Sequence, residues 1–251
     1  MNLVFKGKDT PDAIHFGDHI PKRFREVIDL SKPVNAKNVK CPKKFGANSI
    51  LIRDKRYVDE GEIELRNKRP VQGVSIAIGR IKGRLNLLVS GPKVSLNVGY
   101  CDNFTVTMNL NRGSEVSIGD DCSVGRMRVL AKNSKVSIGK DCMISTDVLI
   151  NSAQHHGIVD VSGDTPILVD KVPEVTIGDH VWLGQKCTVL GDATIGSGSI
   201  LGACAVTGST LPDNVIAVGN PAVVKATGRT WSRGADRFDP RTKTYLEGLA
   251  N

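Results

Sequence analysis

Four ten-residue segments of the chain align without a gap: VSIGDDCSVG at 116–125, VSIGKDCMIS at 136–145, VTIGDHVWLG at 175–184 and ATIGSGSILG at 193–202. Two looser copies, VSIAIG at 74–79 and VSLNVG at 94–99, precede them. The shared glycines are Gly79, Gly99, Gly119, Gly139, Gly178 and Gly196, spaced by 20, 20, 20, 39 and 18 residues. A period this short is too small for paired helices and contains no 3.6-residue pattern. It fits one turn of a solenoid, with three short strands separated by glycine-rich corners. Stacked turns then bring equivalent residues about 4.8 Å apart. Ile118, Ile138, Ile177 and Ile195 form one interior ladder, and Cys122, Cys142, Val181 and Ser199 share a slot that takes small side chains. The glycines are expected to supply corner dihedrals that other residues adopt poorly.

Composition agrees with such a core. There are 26 glycines and only 11 Phe, Trp or Tyr in 251 residues, so Val, Ile, Leu, Ala and Cys must fill the interior. The six cysteines, at 41, 101, 122, 142, 187 and 204, contain no CxxC pair. That spacing argues against a zinc cluster or a secreted disulfide framework and for buried, reduced thiols. No apolar run approaches the roughly 20 residues of a membrane helix, and the N-terminus lacks a signal-peptide core. A soluble, cytoplasmic protein is expected.

The periodic region predicts a solenoid domain over 72–225. Residues 1–71 stand apart as a basic segment of mixed strand and short helix, with PKRFREVIDL read as helix and SILIRDKRYV as strand. They hold 16 Lys/Arg against 10 Asp/Glu, whereas the other 180 residues hold 18 against 16. This segment is either a solvated face or a contact for an acidic polymer or an anionic lipid surface. No nucleic-acid motif accompanies the charge. Residues 226–251 lose the repeat and read as a tail suited to packing on a neighbouring subunit.

One interval breaks the rhythm. Gly139 and Gly178 are separated by one turn plus about 20 extra residues, which fall in NSAQHHGIVDVSGDTPILVDKVPE, at 151–174. A polar, unrepeated insertion of this length in a compact domain is usually functional or disordered. Two of the five histidines, His155 and His156, stand at its start.

VTIGDHVWLG, the run ATIGSGSILGACAVTGSTLPDNVIAVGNPAVV and the histidine-bearing loop together resemble the hexapeptide-repeat acyltransferases over roughly 110–226. The likeness is strongest to the O-acetyltransferases of capsule and lipopolysaccharide biosynthesis. The resemblance implies an all-β, left-handed parallel β-helix with a protruding loop at about 151–173. It also implies acetyl-CoA as donor, a homotrimer with sites between subunits, and a carbohydrate acceptor. Such loops carry His-x-Ile-x-Asp, matched here by His156, Ile158 and Asp160, which makes His156 the catalytic base. Relatives often carry an acidic residue where Gln154 stands, so Asp160 or a backbone carbonyl is left to orient the imidazole. His155, Asn151 and Trp182 are candidate orienting or acceptor-binding residues, Trp182 either stacking on ligand or covering a coil edge. Gly184, Gln185, Gly202, Ala203, Gly208 and Ser209 match the turns that line the donor. Ser209 replaces a common lysine, and Lys225 or Arg229 supplies positive charge instead. His180, in the turn GDHVW, reads as a surface corner residue.

The chemistry suits that assignment. Acetyl transfer to a hydroxyl needs a base to take the proton as oxygen attacks the thioester, and a neutral imidazole does this near pH 7. The oxyanion requires a donor such as a backbone N–H, and no nucleophilic Ser or Cys is needed. A zinc hydratase of the same fold would need two histidines five apart in one turn, which this chain lacks, so no metal is expected. An N-acetyltransferase of an amino sugar nucleotide would share the base and donor. A non-catalytic solenoid scaffold would need neither.

Overall fold

The computed structural model describes residues 18–153, 156–169 and 172–250. The chain winds into a left-handed parallel β-helix of about eight turns, with three faces. The first face stacks 50–53, 74–78, 94–98, Glu115–Ile118, Lys135–Ile138, Glu174–Ile177, Thr194–Ile195 and Thr210–Leu211 in parallel register. The second face contains Met143–Ile144, Trp182–Leu183, Ile200–Leu201 and Val215–Val218. The third stacks Gly61–Asn67, 83–89, 104–110, 127–132, Val148–Ala153, Thr188–Leu190 and Val206–Thr207.

Inside, side chains form ladders because every strand residue meets its equivalent one turn away. Ile118, Ile138, Ile177 and Ile195 are in direct register and buried. Cys122, Cys142, Val181 and Ser199 are all fully buried, so the small-residue slot is real. The interior is one continuous cluster of Val, Ile, Leu and Ala, with Phe104 its largest fully buried side chain. Not every thiol belongs to it: Cys204 is exposed and Cys41 half-buried, because both fall on corners rather than interior positions.

The repeat glycines have a different cause from the one expected. Gly119 and Gly139 are not in the left-handed region; they lie against the backbone of the next turn. A Cβ on Gly119 would sit 2.7 Å from the Gly139 carbonyl carbon, and one on Gly139 would sit 2.6 Å from that of Gly178. The left-handed corner falls two residues later, at Asp121, Asp141, His180, Gly198 and Asn214, with φ between 53° and 71°. Asp, Asn and Gly are the residues that tolerate it best.

Parallel pairing crosses residue 71, since 50–53 and 61–67 are in register with 75–78 and 83–89. The stretch PKRFREVIDL is not a helix. After the short 3-10 turn Lys22–Phe24 it becomes the strand Arg25–Asp29, paired antiparallel with Ile50–Asp54. Ile20 packs outside the first face against Ile52 and Ala77. The exposed edge of the first coils thus decides the conformation of this segment.

The tail returns to its own coils. Residues 228–239 and the helix Pro240–Leu249, capped by Asp239, follow the left-handed corner column. Arg241 meets Asp121 at 3.0 Å, Arg233 meets Asp141 at 2.7 Å, and the Tyr245 hydroxyl donates to Asn214 at 2.8 Å. His180 is therefore no surface corner: it is 1% exposed, stacked between Trp231 and Tyr245 with ring centroids 4.4 and 4.5 Å away.

Candidate active site

The strand Val148–Ala153 brings the chain to the loop along the third face. Its inward residues Val148, Ile150 and Ser152 are buried, which turns Leu149, Asn151 and Ala153 outward. Gln154 and His155 lie outside the described residues. His156 follows, exposed, and its ring makes no hydrogen bond among the described residues. A short hairpin, Ile158–Asp160 paired antiparallel with Ile167–Val169, projects beyond it. Ile158, Val159, Val161, Ile167, Leu168 and Val169 are all exposed, so both sides of this arm present apolar surface to solvent.

The candidate orienting groups are differently engaged. Asp160 accepts hydrogen bonds from the Ser162 amide and hydroxyl at 2.8 and 2.7 Å, and the Ser162 hydroxyl hydrogen bond leads in holding its carboxyl below the usual range. It serves the local turn, as Asp side chains do at loop starts. The Asn151 side chain accepts from the Ala153 amide at 3.2 Å. Trp182 is on another face of the same chain, half-buried in register with Met143 and Ile200. Its indole donates to Ser145 at 3.3 Å and lies tilted 6.3 Å from Trp231. Among the described residues, no hydrogen bond, strand pairing or ring contact joins Trp182 to the His156 loop within one chain.

The expected donor-lining residues border the C-terminal end of the third face. Gly184 and Gln185 stack one turn below Gly202 and Ala203 at the corner entering it, tied by Cys204 N–H to Gln185 O at 2.8 Å. Gly208 and Ser209 form the corner leaving it, beside exposed Leu190. The glycines differ in cause. A Cβ on buried Gly184 would lie 2.6 Å from the Ala203 nitrogen, and one on Gly202 would lie 2.7 Å from Val218, so coil stacking explains both. At Gly208 the nearest atom would be Leu190 Cβ at 3.5 Å, an ordinary contact. The fold does not require glycine there, and the absent side chain leaves an open strip beside Leu190. Lys225, on the strand Val223–Thr227, and Arg229 are exposed cations beyond the last coils.

The residues that hold the tail, Trp231, Arg233 and Tyr245, were not legible in the sequence. Their partners leave a trace there, since Asp121, Asp141, His180, Gly198 and Asn214 recur at one repeat position.

Residues 174–209 match the family model described as bacterial transferase hexapeptide (six repeats). The Saccharomyces cerevisiae protein named "Putative acetyltransferase YJL218W" is 35% identical over 130 residues, which cover 51% of this chain and 65% of that one. Escherichia coli WbbJ, named "Putative lipopolysaccharide biosynthesis O-acetyl transferase", is 42% identical over 50 residues, 20% of this chain and 28% of that one. The chain thus spans less than two thirds of the length of these relatives. Among solved structures, the polySia-specific acetyltransferase NeuO superposes with TM-score 0.66 at 21% identity, covering 85% of this chain and 95% of that one. The polysialic acid O-acetyltransferase OatWY does so with TM-score 0.52 at 19% identity, covering 84% and 94%. Residues 174–209 thus carry the hexapeptide repeat of bacterial transferases, set in a parallel β-helix whose fold is shared with the two superposed structures.

Proposed function

We propose that the protein is an acetyl-CoA-dependent O-acetyltransferase that modifies a sugar hydroxyl of a cell-surface glycan or its precursor. The observation that carries this reading is His156. A solenoid that served only as a scaffold would have no use for a solvent-facing imidazole, without a hydrogen-bond partner among the described residues, on the loop that interrupts the repeat. His156 takes the acceptor proton as the hydroxyl oxygen attacks the thioester carbon, and a backbone N–H of the adjoining coil stabilises the oxyanion. The intermediate collapses with cleavage of the C–S bond, the CoA thiolate leaving with the proton returned by the imidazolium. The open strip at Gly208 and Leu190, with the corner at Gln185 and Ala203, accommodates the extended arm of the donor, and Lys225 or Arg229 meets its phosphates. The names of the acetyltransferase relatives and of the two superposed structures support the reaction class.

The active unit in this reading is a homotrimer. The apolar hairpin at 158–169 is exposed on both sides in a single chain, and a second copy of the chain covers it. The same contact brings Trp182 of one copy towards the His156 loop of the next.

Thiol release from acetyl-CoA, measured with an acceptor panel of sugars bearing hydroxyl or amino groups, tests the assignment. His156→Ala should lower the transfer rate by about 10²–10⁴ without changing the melting temperature. Transfer at the wild-type rate by this variant would remove His156 from the chemistry.

A further inference from the structure

The third face carries a charge pattern that acetyl transfer itself does not use. On the strand Ser123–Lys132, Arg128 and Lys132 both point outward, on either side of half-buried Leu130. This strand lies directly beside the one that leads into His156. Arg128 is in register with Leu149, Leu130 with Asn151 and Lys132 with Ala153. Neighbouring strands are about 4.8 Å apart, so Lys132 stands one rung from the last residue before the loop and Arg128 one rung from Leu149, near the start of the strand that leads into it.

Neither cation has an ion-pair partner among the described residues. Elsewhere on this face charge is locally compensated: Arg126 pairs with Asp147 at 3.4 Å, Arg84 with Glu62 at 2.7 Å and Arg66 with Glu64 at 2.9 Å. The flanking rungs offer no carboxylate to Arg128 or Lys132. Thr107 and Asn109 lie on one side, and Leu149, Asn151 and Ala153 on the other. Two cations without an ion-pair partner among the described residues, four residues apart on a rigid strand, around an apolar step and between asparagines, make a surface for a chain that alternates sugar rings with negative charge. A guanidinium gives a carboxylate two parallel hydrogen bonds, which an ammonium cannot do.

We propose that Arg128 and Lys132 select an acidic glycan as acceptor. Carboxylates of the sugar chain pair with Arg128 and Lys132, the intervening ring rests on Leu130, and Asn109 and Asn151 meet its hydroxyls. The next sugar then presents a hydroxyl at His156. The catalytic part of this assignment rests on the transferase reading; the binding part does not.

The test is direct binding, followed by anisotropy of end-labelled oligosialic acid and oligogalacturonate, with maltoheptaose as the neutral probe. Wild type should bind both acidic oligomers in a salt-sensitive manner and maltoheptaose at least tenfold more weakly. Arg128→Ala with Lys132→Ala should weaken acidic binding at least tenfold and leave neutral binding and the melting temperature unchanged. Lys55→Ala with Lys82→Ala, which removes two exposed cations elsewhere, should change acidic binding less than threefold. Equal affinity for neutral and acidic probes, an unaffected Arg128/Lys132 variant, or an equal loss in the Lys55/Lys82 variant would each overturn the proposal. Selective acidic binding without acetyl transfer would instead overturn the transferase reading and leave this surface standing.

Discussion

His180 and Trp231 hold each other by reciprocal contacts. The Trp231 indole donates to the His180 carbonyl at 2.7 Å, the His180 Nε2 lies 3.0 Å from the Trp231 carbonyl, and the rings stack 4.4 Å apart at an angle of 9°. Tyr245 covers the other face of the imidazole, and Asp141 lies 2.7 Å from its Nδ1. The imidazole is thus the point on which the tail is pinned to the coils. Replacing it removes two ring contacts and two hydrogen bonds and leaves Asp141 short of a partner. His180→Ala should therefore cost about 2–4 kcal/mol in urea unfolding. The emission of Trp231 should shift to the red before the β-helix melts. Unchanged stability and emission would mean that the tail is held elsewhere.

Acid should release the same tail. Burial pushes the Asp141 carboxyl up, but hydrogen bonds from His180 and Arg233 outweigh it and hold the group below the ordinary carboxylate range. For Asp239, burial is likewise outweighed by hydrogen bonds from Thr242, the Arg233 amide and Ser232, and the group is held far lower. Carboxyls depressed in the folded state contribute stability that is complete above the unfolded value of about 4 and is lost as pH falls through the folded value. In a Trp182→Phe background, Trp231 emission should stay constant from pH 7 to 5 and then shift below pH 4. Asp141→Asn should be less stable at pH 7 and show a shallower acid dependence. An unaltered slope would assign the acid response to other groups.

Thiol accessibility separates interior from corner. Cys101, Cys122, Cys142 and Cys187 are buried, and burial pushes the Cys187 thiol up to about 12. A disulfide reagent should modify Cys204 quickly and Cys41 slowly in the native protein, and all six thiols only in denaturant. Rapid native modification at Cys122 or Cys142 would contradict the stacked interior.

Periodicity made the solenoid and its inner ladders readable from sequence, because a strand residue in this fold has its partner one period away. Ile118 predicts Ile138, and Ile138 predicts Ile177, despite the long insertion between the last two. Long-range pairing outside the repeat carried no such signal. The strand Arg25–Asp29 exists because the first coils leave an edge to be paired, and nothing in PKRFREVIDL announces that edge. His180 looked like a corner residue because its backbone is one, with φ at 53°. Its side chain is buried only because Trp231 and Tyr245 arrive from more than 50 residues downstream. At the site, the interruption of the repeat pointed to His156, whereas Arg128 and Lys132 emerge only once the strands are placed in register.

The measurement that bears most directly on the account is the melting temperature with and without saturating acetyl-CoA, for wild type, His156→Ala and Gly208→Val. Donor at 100 times its dissociation constant adds about 2.7 kcal/mol, or roughly 5–10 °C for a chain of this size. Wild type and His156→Ala should shift alike, because the proposed function sets the base apart from the donor groove. Gly208→Val should melt like wild type without donor, since a Cβ there meets nothing closer than 3.5 Å, and should lose the shift. No shift in wild type at millimolar acetyl-CoA would contradict the account and leave His156 an ordinary loop residue.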